Sequence, residues 1–187
     1  MRDTAIAASM TALLALTLSA QNPTTSFSGA LLCRTTWANV KTAGGATITA
    51  TVPDLFTWTH TSGTNAQQMA ALSIISGTLA PGATNAVNLA AAPDSFGSPV
   101  RFAWVKFLAL SSASTNTASL RLGGAASGAF ASWLGGASES VTVAPGGLAM
   151  FAAPGTNSYY VGAATNLWLR NSGTTAAAYT LYIGGAP

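Results

Sequence analysis

General acid–base chemistry needs side chains that exchange a proton near neutral pH, and this chain of 187 residues offers Asp3, Asp54, Asp94, Glu139 and His60. A Ser-His-Asp triad would have to recruit His60, the single histidine. No G-x-S-x-G elbow exists to present the serine, because "GGASES" at 135–140 lacks the closing glycine. His60 follows a strand in "FTWTHTSG" and is read as a surface histidine beside a turn. Asp54 and Asp94 each follow a proline, in "VPD" and "APD", where a short acceptor side chain serves to close a turn. With one histidine and one cysteine, the chain has no imidazole pair, no internal disulfide and no cysteine-based zinc site. Cys33, in "GALLCRT", reads as a small buried hydrophobe. The glycine cluster "GGAASG" is not G-x-G-x-x-G, and no Gly-Lys-Ser/Thr follows any glycine cluster. The expectation is a protein that is not an enzyme, with no cofactor and no metal.

Contact chemistry is the remaining resource. Charged residues make up 6% of the chain, against about 25% in an average soluble domain. Charge keeps protein surfaces apart, so a nearly neutral exterior of Thr, Ser, Asn, Gly and Ala points to a surface covered by partners or by copies of the same chain. Drift of the composition toward Ala and Gly accounts for the same figure. The cations Arg2, Arg34, Lys41, Arg101, Lys106, Arg121 and Arg170 never form a run, so a phosphate-tracking surface, and with it nucleic acid, is not expected. Trp58, Trp133, Tyr159, Tyr160 and Trp168 could fill a core, anchor an interface or form a sugar-binding face. The partner-contact candidates are Leu14, Leu16, Phe27, Trp37, Trp58 and Trp168.

These side chains must be positioned by strands. From Thr47 onward, segments such as "LFTWTH", "ALSIISG", "RFAWVKFLAL", "ESVTV" and "AAYTLYIGG" alternate with turn clusters at Pro81-Gly82, Pro145-Gly146-Gly147 and Ser172-Gly173. Long periodic helices are absent. The expected architecture is an all-β antiparallel sandwich, jelly-roll-like, with about ten strands. "VRFAWVKFLAL" carries large residues at both parities and is expected to be a central strand, or one whose outer face meets another subunit. "VTVAPGG" reads as a hairpin, and "LWLRNSGTTAAAYTLYI" as the closing hairpin, with Leu167 and Leu169 inward, Trp168 and Arg170 outward and Gly173 at a positive-φ turn position.

The domain organisation expected is an N-terminal arm with the first strand or strands over 1–45, extended or partly helical and making contacts, followed by a sandwich over 46–187. "MRDTAIAASMTALLALTLSAQ" imitates a secretory signal, with an apolar run ahead of Leu18-Ser19-Ala20, although Asp3 offsets Arg2. The run is too short, and too interrupted by Ser9, Thr11 and Thr17, to span a membrane. "LLALTLSA" alternates with period two and is read as a strand.

The order of "VRFAWVKFLALSS", a "GGAAS" turn, "WLG", "VTVAPGG", an "AAP" turn and "LWLRNSG" closing at "YIGG" resembles accessory virion proteins of tailed bacteriophages and prophages. The resemblance covers about residues 67–187. It implies a structural virion protein that decorates or cements the outside of the capsid, assembled in the host cytoplasm. Its partners would be the major capsid protein and copies of itself, as a homotrimer. It transfers no catalytic residue. The second reading is a receptor- or glycan-binding module of a phage tail or fibre, and a secreted surface protein cleaved after Ala20 is the third.

Overall fold

The computed structural model describes residues 29–43, 46–94, 96–124, 128–156 and 158–187, with side chains from residue 59 onward. Among the described residues the structure is all-β, and no residue is helical. Two compact units divide the chain, one ending at Thr61 and the other running Ser62–Pro187.

The first unit holds a long antiparallel ribbon of β1 (Gly29–Ala43) and β2 (Ala46–Ser62), paired without a break from Ala43↔Ala46 to Gly29↔His60. At about 3.4 Å per residue the paired stretch extends about 50 Å. Threonines at 47, 49, 51, 57, 59 and 61 alternate with Ile48, Val52, Phe56 and Trp58, a period-two pattern of strand-favouring residues. By register, positions 37 and 58 fall on the same face of the ribbon. "ATITATV" and "LFTWTH" are therefore one strand. The expected turn at "VPD" lies inside it, with Pro53 opposite Thr36 and Asp54 opposite Thr35. A ribbon tolerates this proline because alternate residues point their N–H away from the partner strand. The second compact unit begins at Ser62.

The second unit has eight principal strands: β4 (Ala71–Leu79), β5 (Thr84–Asn88), β8 (Trp104–Ser112), β9 (Leu120–Gly123), β10 (Ser140–Val143), β11 (Leu148–Ala152), β13 (Asn166–Asn171) and β14 (Ala177–Ala186). Four short pieces accompany them: β3 (Gln68–Met69), β6 (Ala92–Pro93), β7 (Pro99–Val100) and β12 (Tyr159–Tyr160). One sheet runs β10-β9-β13-β5 and the other β11-β8-β14-β4. Numbering the eight principal strands in chain order gives 2-7-4-5 and 1-8-3-6, the two interlocked Greek keys of a jelly roll.

That topology overturns both expected hairpins. Strands β10 and β11, flanking "APGG", belong to different sheets, and so do β13 and β14, flanking "SGTTA". The glycine-rich links are corners between layers. At one corner Gly147 donates to the Ala144 carbonyl and Gly146 to the Ala113 carbonyl, which docks the turn onto the end of β8. At the other, buried Asn171 donates through Nδ2 to the carbonyls of Leu79 (3.0 Å), Ala80 (3.1 Å) and Thr175 (2.7 Å), and its Oδ1 accepts from the Gly173 amide. One side chain thus ties together two crossings between the sheets. Gly173 is not among the positive-φ glycines; glycine is required there because a Cβ would lie 2.3 Å from that of Ala118.

The core sits between the layers. Leu108, Leu110, Leu181 and Ile183 from one sheet join Leu120, Leu122, Leu167 and Leu169 from the other, all fully buried in one cluster. Each such side chain contributes about 1.5–3 kcal/mol relative to exposure. The apolar parity of β13 and β9 is what selects the inner face. Strand β8 is central, as its two-sided pattern implies, and all but its first residue and Ser111 are buried. Its register against β14 slips at Gly184/Gly185, where Phe107 and Val105 take successive partners and Lys106 is bulged out of the ladder. Lys106 is fully buried, and its ammonium donates to the Thr64 carbonyl (2.8 Å) and to that of Asn65. Burial holds it below the ordinary lysine pKa.

Candidate functional site

In a sandwich the inner parity of each strand is committed to the core, so chemistry is confined to the outer parity and the corners. On the sheet β10-β9-β13-β5 the outer parity carries Thr84, Arg170 and Arg121 in one cross-strand row, since Arg170 pairs with Thr84 on one side and with Arg121 on the other. Trp168 stands two residues from Arg170 on the same face. Leu167, Leu169 and Asn171 point inward, as alternation predicts, while Trp168 is half-buried and Arg170 exposed.

The ladder between β13 and β9 ends at Leu169↔Leu122, and the next residue of β9 is Gly123. Beside this end of the ladder lies a notch of about 200 Å³, lined by Thr84, Arg121, Gly123, Gly124, Trp168 and Arg170. Gly123 and Gly124 both have left-handed backbone, φ 89° and 79°, which keeps other residue types out. A Cβ on Gly123 would also lie 2.7 Å from the Glu139 carbonyl oxygen.

The electrostatics of the notch are one-sided. Arginines directly opposite each other in a sheet repel. Among the described residues no carboxylate lies within ion-pair distance of either guanidinium, although exposed Glu139 precedes Ser140 in the chain. Arg121 is held in place by the Ser140 hydroxyl, to which Nη2 (2.7 Å) and Nε (3.3 Å) donate. A guanidinium has five N–H donors, so three remain on Arg121 and all five on Arg170. The indole Nε1 of Trp168 is buried without an acceptor, a state that costs about 1–3 kcal/mol in a folded protein.

The outer face of the sheet β11-β8-β14-β4 is different in kind. One cross-strand row is Ile74, Tyr182, Ala109 and Met150; the next is Ser76, Thr180, Ser111 and Leu148. Neither row carries a charge. Ile74 and Leu148 are 38% and 39% exposed, and the Ser76 and Thr180 hydroxyls bond to each other at 3.0 Å.

Of the expected contact residues, Leu14, Leu16 and Phe27 lie outside the described residues. Trp37 and Trp58 sit on β1 and β2, opposite Val52 and Leu31. Trp168 alone falls in the notch. The other aromatic candidates do not join it. Trp133 is core, its Nε1 donating to the Phe130 carbonyl (3.1 Å) and its ring meeting Phe151 edge-on. Tyr159 packs against the core, and Tyr160 stands 4.8 Å from Trp104 at the start of β8, in the other sheet. Phe96, 75% exposed at the turn between β6 and β7, was not singled out in the sequence. Its turn is the one predicted at "APD": Asp94 Oδ1 accepts from the amides of Phe96 and Ser98, each at 2.8 Å.

His60 is buried, 3% exposed, within β2, which corrects the expectation of a surface histidine. The strand runs on through Ser62, two residues beyond the Gly29↔His60 pair that closes the ladder with β1, so His60 lies within a strand and not beside a turn. No group of three or more potential metal ligands exists among the described residues. The described residues contain no helix long and apolar enough to cross a membrane. No protein-family model, curated protein or solved structure matches the chain.

Proposed function

We propose that this protein is a structural virion component that binds the outside of a bacteriophage capsid, stabilising or decorating it through contacts with the major capsid protein and with copies of itself, as a homotrimer. The observation that carries the reading is the charge-free outer face of β11-β8-β14-β4. Rows of apolar and hydroxyl side chains, with Ile74 and Leu148 exposed, form a surface that loses little on desolvation and has no like charges to bring together. The order of motifs over about residues 67–187, with its resemblance to accessory virion proteins, supports the same role. The jelly roll is compatible with it, being an architecture used by viral shell proteins as well as by lectins.

The test is labelling of purified particles with an antibody to this chain, with signal expected over the icosahedral shell. Signal confined to the tail would transfer the reading to the receptor- or glycan-binding alternative. Paired substitutions Ile74→Lys and Leu148→Lys add two charges at exposed positions, and they are expected to abolish particle binding while leaving the sandwich folded. Removal of residues 1–22 tests the N-terminal arm in the same assay, with loss of binding expected and a folded sandwich retained.

A further inference from the structure

We infer that the notch between Trp168, Arg121 and Arg170 is a binding site for a single carboxylate-bearing sugar residue. The inference goes beyond a structural role. The outer faces of the two sheets of a sandwich point in opposite directions, so a copy seated through Ile74 and Leu148 presents this notch to solvent.

Size narrows the ligand first. About 200 Å³ is below the roughly 300–1,000 Å³ of sites that take drug-sized molecules, so the notch accepts one ring or one acidic group and not a chain. Charge narrows it next. Two arginines stand opposite each other across the β13–β9 ladder, both line the notch with no acid paired to either among the described residues, and Arg121 is already oriented by Ser140. Preset guanidinium forks match a carboxylate, which can accept two parallel bonds from one of them. Only these two cations line the site, too few to follow a polyanion or a lipid surface. The third observation is the indole. A free oxyanion needs no flat apolar wall, whereas a pyranose presents C–H faces that pack on one, and Thr84 adds a hydroxyl on the opposite flank for a sugar hydroxyl.

The experiment is a titration of the full chain with glucuronic acid and with N-acetylneuraminic acid, following the tryptophan indole N–H signals by NMR. Glucose, acetate and inorganic phosphate are titrated in parallel. The Trp168 indole signal, assigned by its loss in Trp168→Phe, is expected to move with the acidic sugars and to stay in place with glucose. Acetate and phosphate are expected to bind at least tenfold more weakly. Arg170→Ala and Arg121→Ala should each weaken the acidic sugar about tenfold or more, and Arg170→Lys should recover part of the loss because it restores charge but not the fork.

An unmoved Trp168 signal overturns the inference. So does glucose binding as tightly as its acid. Acetate or phosphate matching the sugars reduces the notch to an oxyanion site and removes the sugar. Arg170→Ala particles that no longer carry the protein would make the notch a docking surface, which also ends the inference. Loss of particle binding on Ile74→Lys with the titration intact would leave it standing.

Discussion

The two outer faces of this sandwich are built on the same alternation and end in opposite chemistries. On β10-β9-β13-β5 the outward positions carry two arginines and a tryptophan around a notch that Gly123 and Gly124 also line. On β11-β8-β14-β4 they carry isoleucine, tyrosine, methionine, leucine and hydroxyls, with no charge at all. The inner parities of both sheets are alike in being apolar, mostly leucine with isoleucine, valine and the rings of Tyr179 and Phe151. Core positions answer to one requirement, exclusion of water, while outward positions are free to diverge, and the divergence is where function is to be sought.

The comparison can be broken most forcefully from inside. Leu169→Ala and Leu181→Ala, one in each sheet, should each cost about 2–5 kcal/mol in denaturant unfolding, since both side chains are fully buried. Arg170→Ala, one residue along from Leu169, should shift stability by about 0.5 kcal/mol or less, toward stabilisation, because it relieves repulsion from Arg121. A large loss in Arg170→Ala would mean that the face is structural and not a free surface.

Asn171→Leu comes next, at about 2–3 kcal/mol, because it strands the Leu79, Ala80 and Thr175 carbonyls at a buried corner. Lys106→Met should cost about 1–3 kcal/mol for the carbonyls of Thr64 and Asn65. It should also change the pH profile. In the folded chain the lysine pKa lies below its ordinary 10.5, so between the two values the unfolded chain holds a proton the folded one has released. Stability therefore rises with pH across that window. Unfolding measured from pH 7 upward should show the rise in the native chain and a flatter profile in Lys106→Met. A small effect, about 1 kcal/mol or less, is expected from Ile74→Lys with Leu148→Lys, because both positions are already partly exposed.

Much of this was legible in the sequence, for reasons that are local. Alternation in "LWLRN" told inward Leu167 and Leu169 from outward Trp168 and Arg170, and "APD" announced a turn closed by Asp94. Two-sided hydrophobicity marked β8 as central. What local pattern could not carry was the partner of each strand. "APGG" and "NSGTTA" have the composition of hairpin turns and act as corners, because a glycine-rich link serves either geometry and only the distant strands decide. The ribbon over 29–62 was broken into pieces by Pro53, which is a stop signal in a sheet interior and harmless in a ribbon. The notch escaped for a related reason. Arg121 and Arg170 are far apart in the chain and meet only because β13 lies beside β9. Their lack of acidic neighbours was written in the composition, but their adjacency was not. The burial of Lys106 depends on a bulge that no spacing of residue types announces.

The pairing of β4 with β14 joins the beginning of the sandwich to its end, Ala71 opposite Gly185. Until β14 (Ala177–Ala186) has been made, β8 has an open edge and the inner leucines of its sheet lack their neighbours. Chains of such long-range topology fold slowly. Synthesis therefore acts as a gate: a copy that stops short of β14 lacks the strand joining β8 to β4 and cannot form the charge-free face.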